Sequence, residues 1–250
     1  MPGFWILLLA TDDKLHLVNA TLSIDCSSSW SPDTVEIREI SKPQSLPTLS
    51  NQNLFTDASR NSFYVWGGYV PFDESADSSN LWKFNADGDG GGSWVREAPG
   101  NADFFVDLER TENGATTSSP GAGFVFGGKI LDSKSKATGQ NEKGTVTFDF
   151  GSKNWSQNSE GPFSPDQTLW GATASFVEGF ADEGLIFLLG GMNRRDEPAA
   201  GYLDFETVHF FDIAKRDWYE QKTTGDVPGV RFHHCAVAMT DSSSNDTTEM

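Results

Sequence analysis

The sequence predicts an all-β chain built from repeated antiparallel sheets, because one pattern recurs three times along its 250 residues. Pairs of adjacent glycines recur at intervals of 60 and 63 residues, and each pair follows a short apolar run. A tryptophan follows the second glycine of each pair after 26 or 27 residues. These repeated positions are Gly67, Gly68, Trp94, Gly127, Gly128, Trp155, Gly190, Gly191 and Trp218.

Each unit also contains strand-like runs that are rich in aromatic and β-branched residues. The runs before the glycine pairs are Phe63–Trp66, Phe124–Phe126 and Leu185–Leu189. The runs between each pair and its tryptophan are Leu81–Asn85, Val146–Phe150 and Val208–Ile213. We therefore expect each unit to be a short antiparallel meander. Glycine would let neighbouring backbones approach closely, and the tryptophan would pack between adjacent sheets.

The repeat region spans residues 18–240, and three complete units are predicted at residues 52–94, 114–155 and 169–218. Two partial units flank them. The first, at 18–30, has outer strands near Thr21–Asp25 and Trp30, and the second, at 231–239, has a first strand only. Residues 1–17 form an apolar segment that fits a signal-like sequence, a buried strand or a misassigned start equally well. Residues 241–250 form a polar tail.

The glycine pair after an apolar strand, the aromatic-Asp element and the spaced tryptophan resemble kelch repeats, the blades of a β-propeller. The stretches Thr21–Asp25, Ser27–Trp30 and Phe63–Gly68 resemble kelch-type propellers of filamentous fungi. The resemblance implies a propeller like the central domain of galactose oxidase. Because such propellers close with more blades than are found here, we expect an incomplete propeller. It would be either a fragment or an arc that self-associates with another chain.

Composition excludes several classes of partner. The chain has 36 Asp and Glu residues against 18 Lys and Arg, a formal net charge of −18, which argues against nucleic acid. Its longest apolar run, Phe4–Ala10, is shorter than the roughly 20 residues of a membrane-spanning helix, so we expect no span. The two cysteines, Cys26 and Cys235, are expected to be unpaired and half-buried in strand-like segments.

No motif in the sequence assembles catalytic or metal-binding chemistry. The resemblance to galactose oxidase implies copper held by two tyrosines and two histidines, but no segment reproduces those ligand pairs. His233 and His234 would point to opposite faces of a strand, and His234 resembles the histidine that braces kelch inner strands. The string from Asn85 to Gly90 resembles the start of a calcium loop, but Arg96 stands where the bidentate Glu belongs. The sequence therefore predicts no catalytic residue, metal or cofactor.

The predicted function is a non-catalytic binding module that engages a protein or a glycan through long loops on one rim. These loops follow the glycine pairs, and their candidate binding residues are Asp73, Glu74, Lys134, Arg194 and Arg195. Glycosylation sequons at Asn19, Asn154 and Asn245 permit secretion, and the acidic, lysine-poor composition with Ser/Thr/Gly-rich loops favours an extracellular or cell-surface protein. Two alternatives stay open. One is a copper enzyme similar to galactose oxidase whose ligands lie outside this sequence, and the other is a cytoplasmic kelch scaffold adaptor.

Overall fold

The structure is a computed structural model, and it confirms an almost all-β chain in which every strand pair is antiparallel. The structure describes residues 10–11, 14–15, 20–69, 80–131, 137–141, 144–158, 161–162, 169–193, 201–240 and 248–249. Three four-stranded meanders dominate it, and each contains one of the glycine pairs.

Two hairpins precede the first four-stranded sheet. The first pairs β1 (Ala10–Thr11) with β2 (Lys14–Leu15), and the second, here called the N-terminal hairpin, pairs β3 (Ala20–Ile24) with β4 (Ile37–Ser41). The expected outer strand at Trp30 was wrong: Trp30 lies in the loop between β3 and β4 and is 47% exposed. Turn-forming residues account for the difference, because the segment around Trp30 is rich in Ser, Asp and Pro, which favour turns over strands.

Sheet 1 is the four-stranded meander that carries the first glycine pair. Its strands are β5 (Asn53–Asp57), β6 (Ser62–Trp66), β7 (Leu81–Ala86) and β8 (Gly92–Glu97), in that spatial order. A 3₁₀ turn at Ala58–Arg60 joins the first two strands, and the short helix α1 (Ala102–Asp107) follows the last.

Sheet 2 repeats this meander around the second glycine pair. After β9 (Arg110–Glu112) come β10 (Ala115–Ser118), β11 (Ala122–Phe126), β12 (Lys129–Leu131), β13 (Ala137–Asn141), β14 (Thr145–Asp149) and β15 (Trp155–Asn158). The sheet order is β10-β11-β14-β15. The connection after the glycine pair supplies β12 and β13, which form a separate three-stranded sheet with β9.

Sheet 3 is the last complete meander, with β16 (Thr173–Val177), β17 (Leu185–Leu189), β18 (Thr207–Asp212) and β19 (Asp217–Lys222). The strand expected at 231–239 was wrong for most of its length, because only β20 (Met239–Thr240) forms, paired with β21 (Thr248–Glu249). Residues 234–236 instead bond to β16 through its side chains: the hydroxyls of Thr173 and Ser175 donate to the carbonyls of His234 and Ala236 at 2.6 and 3.2 Å.

Neither cysteine lies where it was expected. Cys26 and Cys235 are both exposed, both fall outside the strands, and neither is in a disulfide. Both cysteines lie next to turns. The side chain of Asp25 caps the turn after β3, beside Cys26, and His233, two residues before Cys235, has a left-handed backbone with φ of 51°.

The glycine pairs lie where one unit meets the next. The second glycine of each pair donates its backbone N–H to a carbonyl of the following unit, over the pairs Gly68–Thr111, Gly128–Leu169 and Gly191–Arg231 at 3.1, 2.8 and 2.8 Å. The first glycine lies against the same carbonyl, and a Cβ atom on Gly127 would lie 2.6 Å from the oxygen of Leu169. All six glycines have positive φ, so this junction excludes a side chain both by space and by backbone conformation.

A second repeated position, which the sequence analysis missed, links the units in series. Asn51, Asn113, Gly171 and His233 all have positive φ. The N–H of each of the last three donates to the carbonyl of the residue before it in this series, at 3.2, 3.2 and 2.7 Å. Asn tolerates this backbone better than most residues, and Gly tolerates it best. Arg231 and His233 therefore continue the repeat by hydrogen bonding although no inner strand forms beside them.

The core is divided between the interfaces of successive sheets. The largest cluster lies between sheets 1 and 2 and is mostly aromatic; it contains Phe55, Tyr64, Trp66, Phe148 and Trp155, all at most 2% exposed. A second cluster joins sheets 2 and 3 through Phe124, Phe126, Ile186, Leu188 and Phe211. A third joins the N-terminal hairpin to sheet 1. Each sheet thus buries its faces against its neighbours, as repeat proteins do.

Candidate functional site

The loop residues predicted to bind a partner all lie outside the described residues. This applies to Asp73, Glu74, Lys134, Arg194 and Arg195, and also to the sequons Asn19 and Asn245. Asn154 is described: it is exposed in the turn between β14 and β15. The repeated tryptophans contact the unit before their own. Trp94 donates its Nε1 proton to Thr21 at 2.8 Å, and the rings of Trp155 and Trp218 lie 4.8 and 5.3 Å from those of Trp66 and Phe126.

A cavity of about 500 Å³ lies at the end of sheet 1 where the glycine pair ends β6 and the long loop begins. It lies where the glycine-pair end of β6 meets the start of β7, the end of β8 and the helix α1. The cavity combines aromatic side chains with arginine: Trp66 and Phe105 line it together with Arg96 and Arg110. Val106 of α1 also lines it and is 80% exposed. Trp66 and Arg110 are buried, so the side chains that a partner can reach are Arg96, Phe105 and Val106. Arginine and aromatic side chains are typical anchors of protein interfaces.

A larger cleft, of about 1200 Å³, lies between sheets 2 and 3 and opens at the opposite end of the sheets. One wall is formed by β14 and β15 of sheet 2, with Thr145, Thr147, Asp149 and Ser156. The other wall is formed by sheet 3 and its turns, with Phe176, Glu178, Asp182, Glu183, Phe211, Ile213 and Arg216. The mouth is formed by the turn that joins the first two strands of each sheet and the turn that joins the last two.

The cleft exists because small side chains replace bulky ones at equivalent positions of the repeat. In sheet 1, Phe55 and Lys83 flank Tyr64 across the strands, and all three face sheet 2. In sheet 2, Thr117 and Thr147 flank Phe124 in the same register.

The wall of the cleft on sheet 3 also carries a smaller side chain than the equivalent position of sheet 2. Phe150, which follows β14 and stacks on Tyr64 at 5.6 Å, is replaced by Ile213 after β18. The interface between sheets 2 and 3 therefore lacks the side-chain volume that fills the interface between sheets 1 and 2.

Carboxylates outnumber cations around the mouth of the cleft. Among the described residues, four exposed carboxylates line it, and Arg216 is the lining cation; the carboxylates are those of Asp149, Glu178, Asp182 and Glu183. The backbone N–H of Ser152 donates to Oδ1 of Asp149 at 2.7 Å, and this hydrogen bond lowers the pKa of the carboxyl. The mouth is thus negatively charged at neutral pH.

The floor of the cleft is uncharged and rich in hydroxyl groups. Val146 and Phe148 of β14 pack toward sheet 1, so Thr145 and Thr147 face the cleft, because side chains alternate along a strand. Ser156 lies directly across from Thr147. Thr145 is 2% exposed, and its Oγ1 has no hydrogen-bond partner among the described residues. A buried hydroxyl without a partner is costly and marks a place where a polar group is missing.

The residues weighed as metal ligands are not brought together. In the described part of the chain, no group of three or more His, Cys, Asp and Glu side chains could hold a metal ion. Tyr64 is buried in the core, where burial raises its pKa to about 12, and its hydroxyl accepts a hydrogen bond from Nζ of Lys153 at 2.6 Å. The ring of His234 lies under Gly190, and burial lowers its pKa.

The string that resembles a calcium loop is a closed hairpin turn in the structure. Oδ1 of Asp87 accepts hydrogen bonds from the backbone N–H groups of Asp89 and Gly91, both at 2.9 Å. Arg38 of the N-terminal hairpin donates to the carbonyl of Asp89 at 2.9 Å. These contacts give the segment a structural role in joining the hairpin to sheet 1.

The sheet order, the glycine junctions and the spaced tryptophans are those of kelch-type β-propeller blades, and the described sheets are consistent with an incomplete propeller. The chain is similar to a kelch repeat-containing protein of Arthroderma benhamiae, with 26% identity over 90% of this chain, and the kelch resemblance is thereby confirmed. The chain spans 38% of the length of that relative. No protein-family model matches the chain. Within the described residues, no helix is long and apolar enough to cross a membrane.

Proposed function

We propose that this chain is a non-catalytic interaction module that binds a protein or a glycan at the end of the sheets where the long loops begin. The observation that carries the proposal is the cavity beside α1, where Trp66, Phe105 and Arg96 surround a hollow at that end. The exposed Val106 adds an apolar contact beside it. The kelch scaffold supports the same reading, since its regular sheets hold variable loops in fixed positions.

Two variants on the same surface test the binding site. Val106→Asp puts a charge into the apolar rim of the cavity, and Arg96→Ala removes an anchor. Arg38→Ala is the matched control, because Arg38 is exposed on the N-terminal hairpin and lines neither cavity. Binding is measured on a glycan array and against a displayed peptide library. Loss of captured ligands by the two variants but not by the control supports the proposal. Ligands that all three variants keep would place binding elsewhere.

The enzyme alternative has a direct assay. Because this alternative places the copper ligands outside this sequence, the full-length product of the gene is loaded with copper(II) and supplied with D-galactose and oxygen, and hydrogen peroxide is measured as the product of alcohol oxidation. We expect no peroxide above a sample treated with chelator. Copper-dependent turnover would replace the interaction module with an oxidase.

An extracellular or cell-surface location forms part of the proposal. The support is the sequon at Asn154, whose side chain is exposed in a turn and open to modification. Expression through a secretory pathway should give a proteolytic peptide that carries a glycan at Asn154, which endoglycosidase removes and Asn154→Gln abolishes. If the secreted protein carries no glycan at Asn154, the cytoplasmic adaptor becomes the better hypothesis.

Self-association also stays a prediction. Sheet 3 turns Phe187 and Phe210 toward a hollow of about 430 Å³ on the face away from sheet 2. In sheet 1 the equivalent face is covered by the next sheet. Sedimentation equilibrium of the chain would measure self-association directly, and Phe210→Ser is the variant that should weaken it.

A further inference from the structure

We propose that the cleft between sheets 2 and 3 is a second binding site, which takes an oligosaccharide whose sugars are neutral or carry amino groups. This site lies at the opposite end of the sheets from the proposed loop surface, and it needs none of the loop residues. Three features of the cleft support the assignment: its size, the hydroxyl groups of its floor and the charge of its mouth.

The size of the cleft favours an extended ligand. Its volume of about 1200 Å³ exceeds the roughly 300–1,000 Å³ that is typical of small-molecule sites. It also runs along β14, from the mouth at Asp149 down to Thr145 near the other end of the strand. A chain of several linked units matches this shape better than one small molecule does.

The floor favours hydroxyl-bearing ligands. Thr145, Thr147 and Ser156 present hydroxyl groups, which donate and accept and can turn to suit a partner. Sugar hydroxyls have the same dual capacity. The unpartnered Oγ1 of Thr145, buried at the floor, is the group that gains most from a ligand hydroxyl or a bridging water. The half-buried ring of Phe176 on the facing wall offers an apolar surface to a sugar ring.

The charge of the mouth selects among carbohydrates. The mouth has more carboxylates (Asp149, Glu178, Asp182 and Glu183) than cations (Arg216) among its described lining residues. It therefore repels phosphate, sulfate and uronic acid groups, and it tolerates or attracts an amino group. A basic peptide would share only this last property. An extended peptide adds to the edge of a sheet, and the edge strand β15 of sheet 2 also lines the cleft, so a peptide probe is included in the test.

The test measures binding of four hexasaccharide probes by calorimetry: cellohexaose, mannohexaose, hexa-N-acetylchitohexaose and the fully deacetylated chitosan hexamer. Hexalysine is the peptide probe, and an oligogalacturonate is the anionic probe. The chain is produced without glycosylation, because Asn154 also lines the cleft. We expect at least one of the four hexasaccharides to bind with a Kd below about 1 mM, and the oligogalacturonate to bind at least about tenfold more weakly.

The variant Thr147→Phe fills the floor of the cleft and should weaken that binding by at least about tenfold, or about 1.4 kcal/mol. Thr56→Phe is the matched control, because Thr56 is an exposed strand threonine outside the cleft. Thermal unfolding of both variants shows whether they are folded. If Thr147→Phe does not fold, the double variant Asp182→Lys, Glu183→Lys at the exposed mouth replaces it, and it should abolish binding of the chitosan hexamer.

Three outcomes would overturn the inference. The first is that none of the four hexasaccharides binds. The second is that hexalysine binds and the sugars do not, which would make the acidic mouth a peptide site. The third is that sugar binding survives in Thr147→Phe and is lost in Arg96→Ala; the loop surface would then be the glycan site, the proposed function would stand and only the cleft assignment would fail.

Discussion

Trp155→Ala is the substitution that most directly tests how the sheets are held together. The indole is 2% exposed and lies among four other rings, with centroid distances of 4.7 Å to Phe148, 4.8 Å to Trp66, 5.3 Å to Phe105 and 6.1 Å to Phe55. These rings belong to sheet 1, sheet 2 and α1. One truncation therefore removes packing from three elements at once.

The magnitude follows from the buried area. A tryptophan buries about 150–250 Å², and at about 25 cal/mol per Å² its transfer contributes about 4–6 kcal/mol. Alanine keeps part of this area, and measured Trp→Ala losses are about 3–5 kcal/mol, which we expect here. The backbone of residue 155 should stay in place, because Asn101 bonds both its N–H and its carbonyl at 2.8 Å. The loss should therefore come from packing and not from rearrangement of β15.

Urea unfolding followed by circular dichroism measures the loss. With a slope of about 1–3 kcal/mol per M, a loss of about 4 kcal/mol lowers the midpoint by about 2 M. Trp30→Ala is the control, since Trp30 is 47% exposed in a loop and its removal should cost no more than about 0.5 kcal/mol. A Trp155→Ala midpoint close to that of the unmodified chain, or an equal fall in the control, would refute the packing argument.

Three further predictions concern the junctions, the turns and the core. Gly127→Ala should lower stability by about 1–3 kcal/mol more than Gly88→Ala in urea unfolding, because both have positive φ but only the first would place a Cβ against Leu169; equal losses would contradict a clash. The pKa of Asp149 is lowered from its ordinary value of 3.8, so its carboxylate stabilises the fold at higher pH and this stabilisation is lost as the pH falls below 3.8. Between pH 5 and pH 2 the melting temperature of Asp149→Asn should therefore fall less than that of the unmodified chain. Parallel curves would contradict this. The raised pKa of Tyr64 means that its contribution is present below pH 10 and lost as pH rises toward 12, so Tyr64→Phe should unfold less steeply over that range, and identical alkaline profiles would contradict this.

The fold could be predicted from the sequence because the repeat is dictated by short-range chemistry. Glycine pairs after apolar runs mark places where a side chain has no room, and they stand out without any alignment of homologues. The failures fall where this chemistry is weak. Trp30 matched the spacing of the repeat, but its surroundings favour a turn, and spacing alone does not show burial.

The series Asn51, Asn113, Gly171 and His233 could have been found by closer reading, and it explains the wrong assignment at 231–239. All four members are residue types that are enriched at positive φ, but Asn, Gly and His form no obvious sequence pattern, so the position of His233 is established by its hydrogen bond. The chain after His233 runs beside β16 and is held by the side chains of Thr173 and Ser175 instead of by a backbone ladder. The hydrogen bonds that join successive units thus continue after sheet 3, although the expected strand does not form there.

The fold follows from the residues that the three units share, whereas the cleft follows from side chains that differ between the units at equivalent positions. Aligning the strand register around Tyr64 with that around Phe124 sets Lys83 against Thr147 and Phe55 against Thr117, and both exchanges place a smaller side chain on the face of sheet 2 that is turned toward sheet 3. Such exchanges would be penalised as cavities if the space stayed empty, and more so with a hydroxyl left without a partner at Thr145. A ligand that fills the space and bonds that hydroxyl would offset both costs. The chain should therefore be stabilised against urea by any sugar that binds the cleft, and the Thr147→Phe variant should be stabilised less at the same sugar concentration.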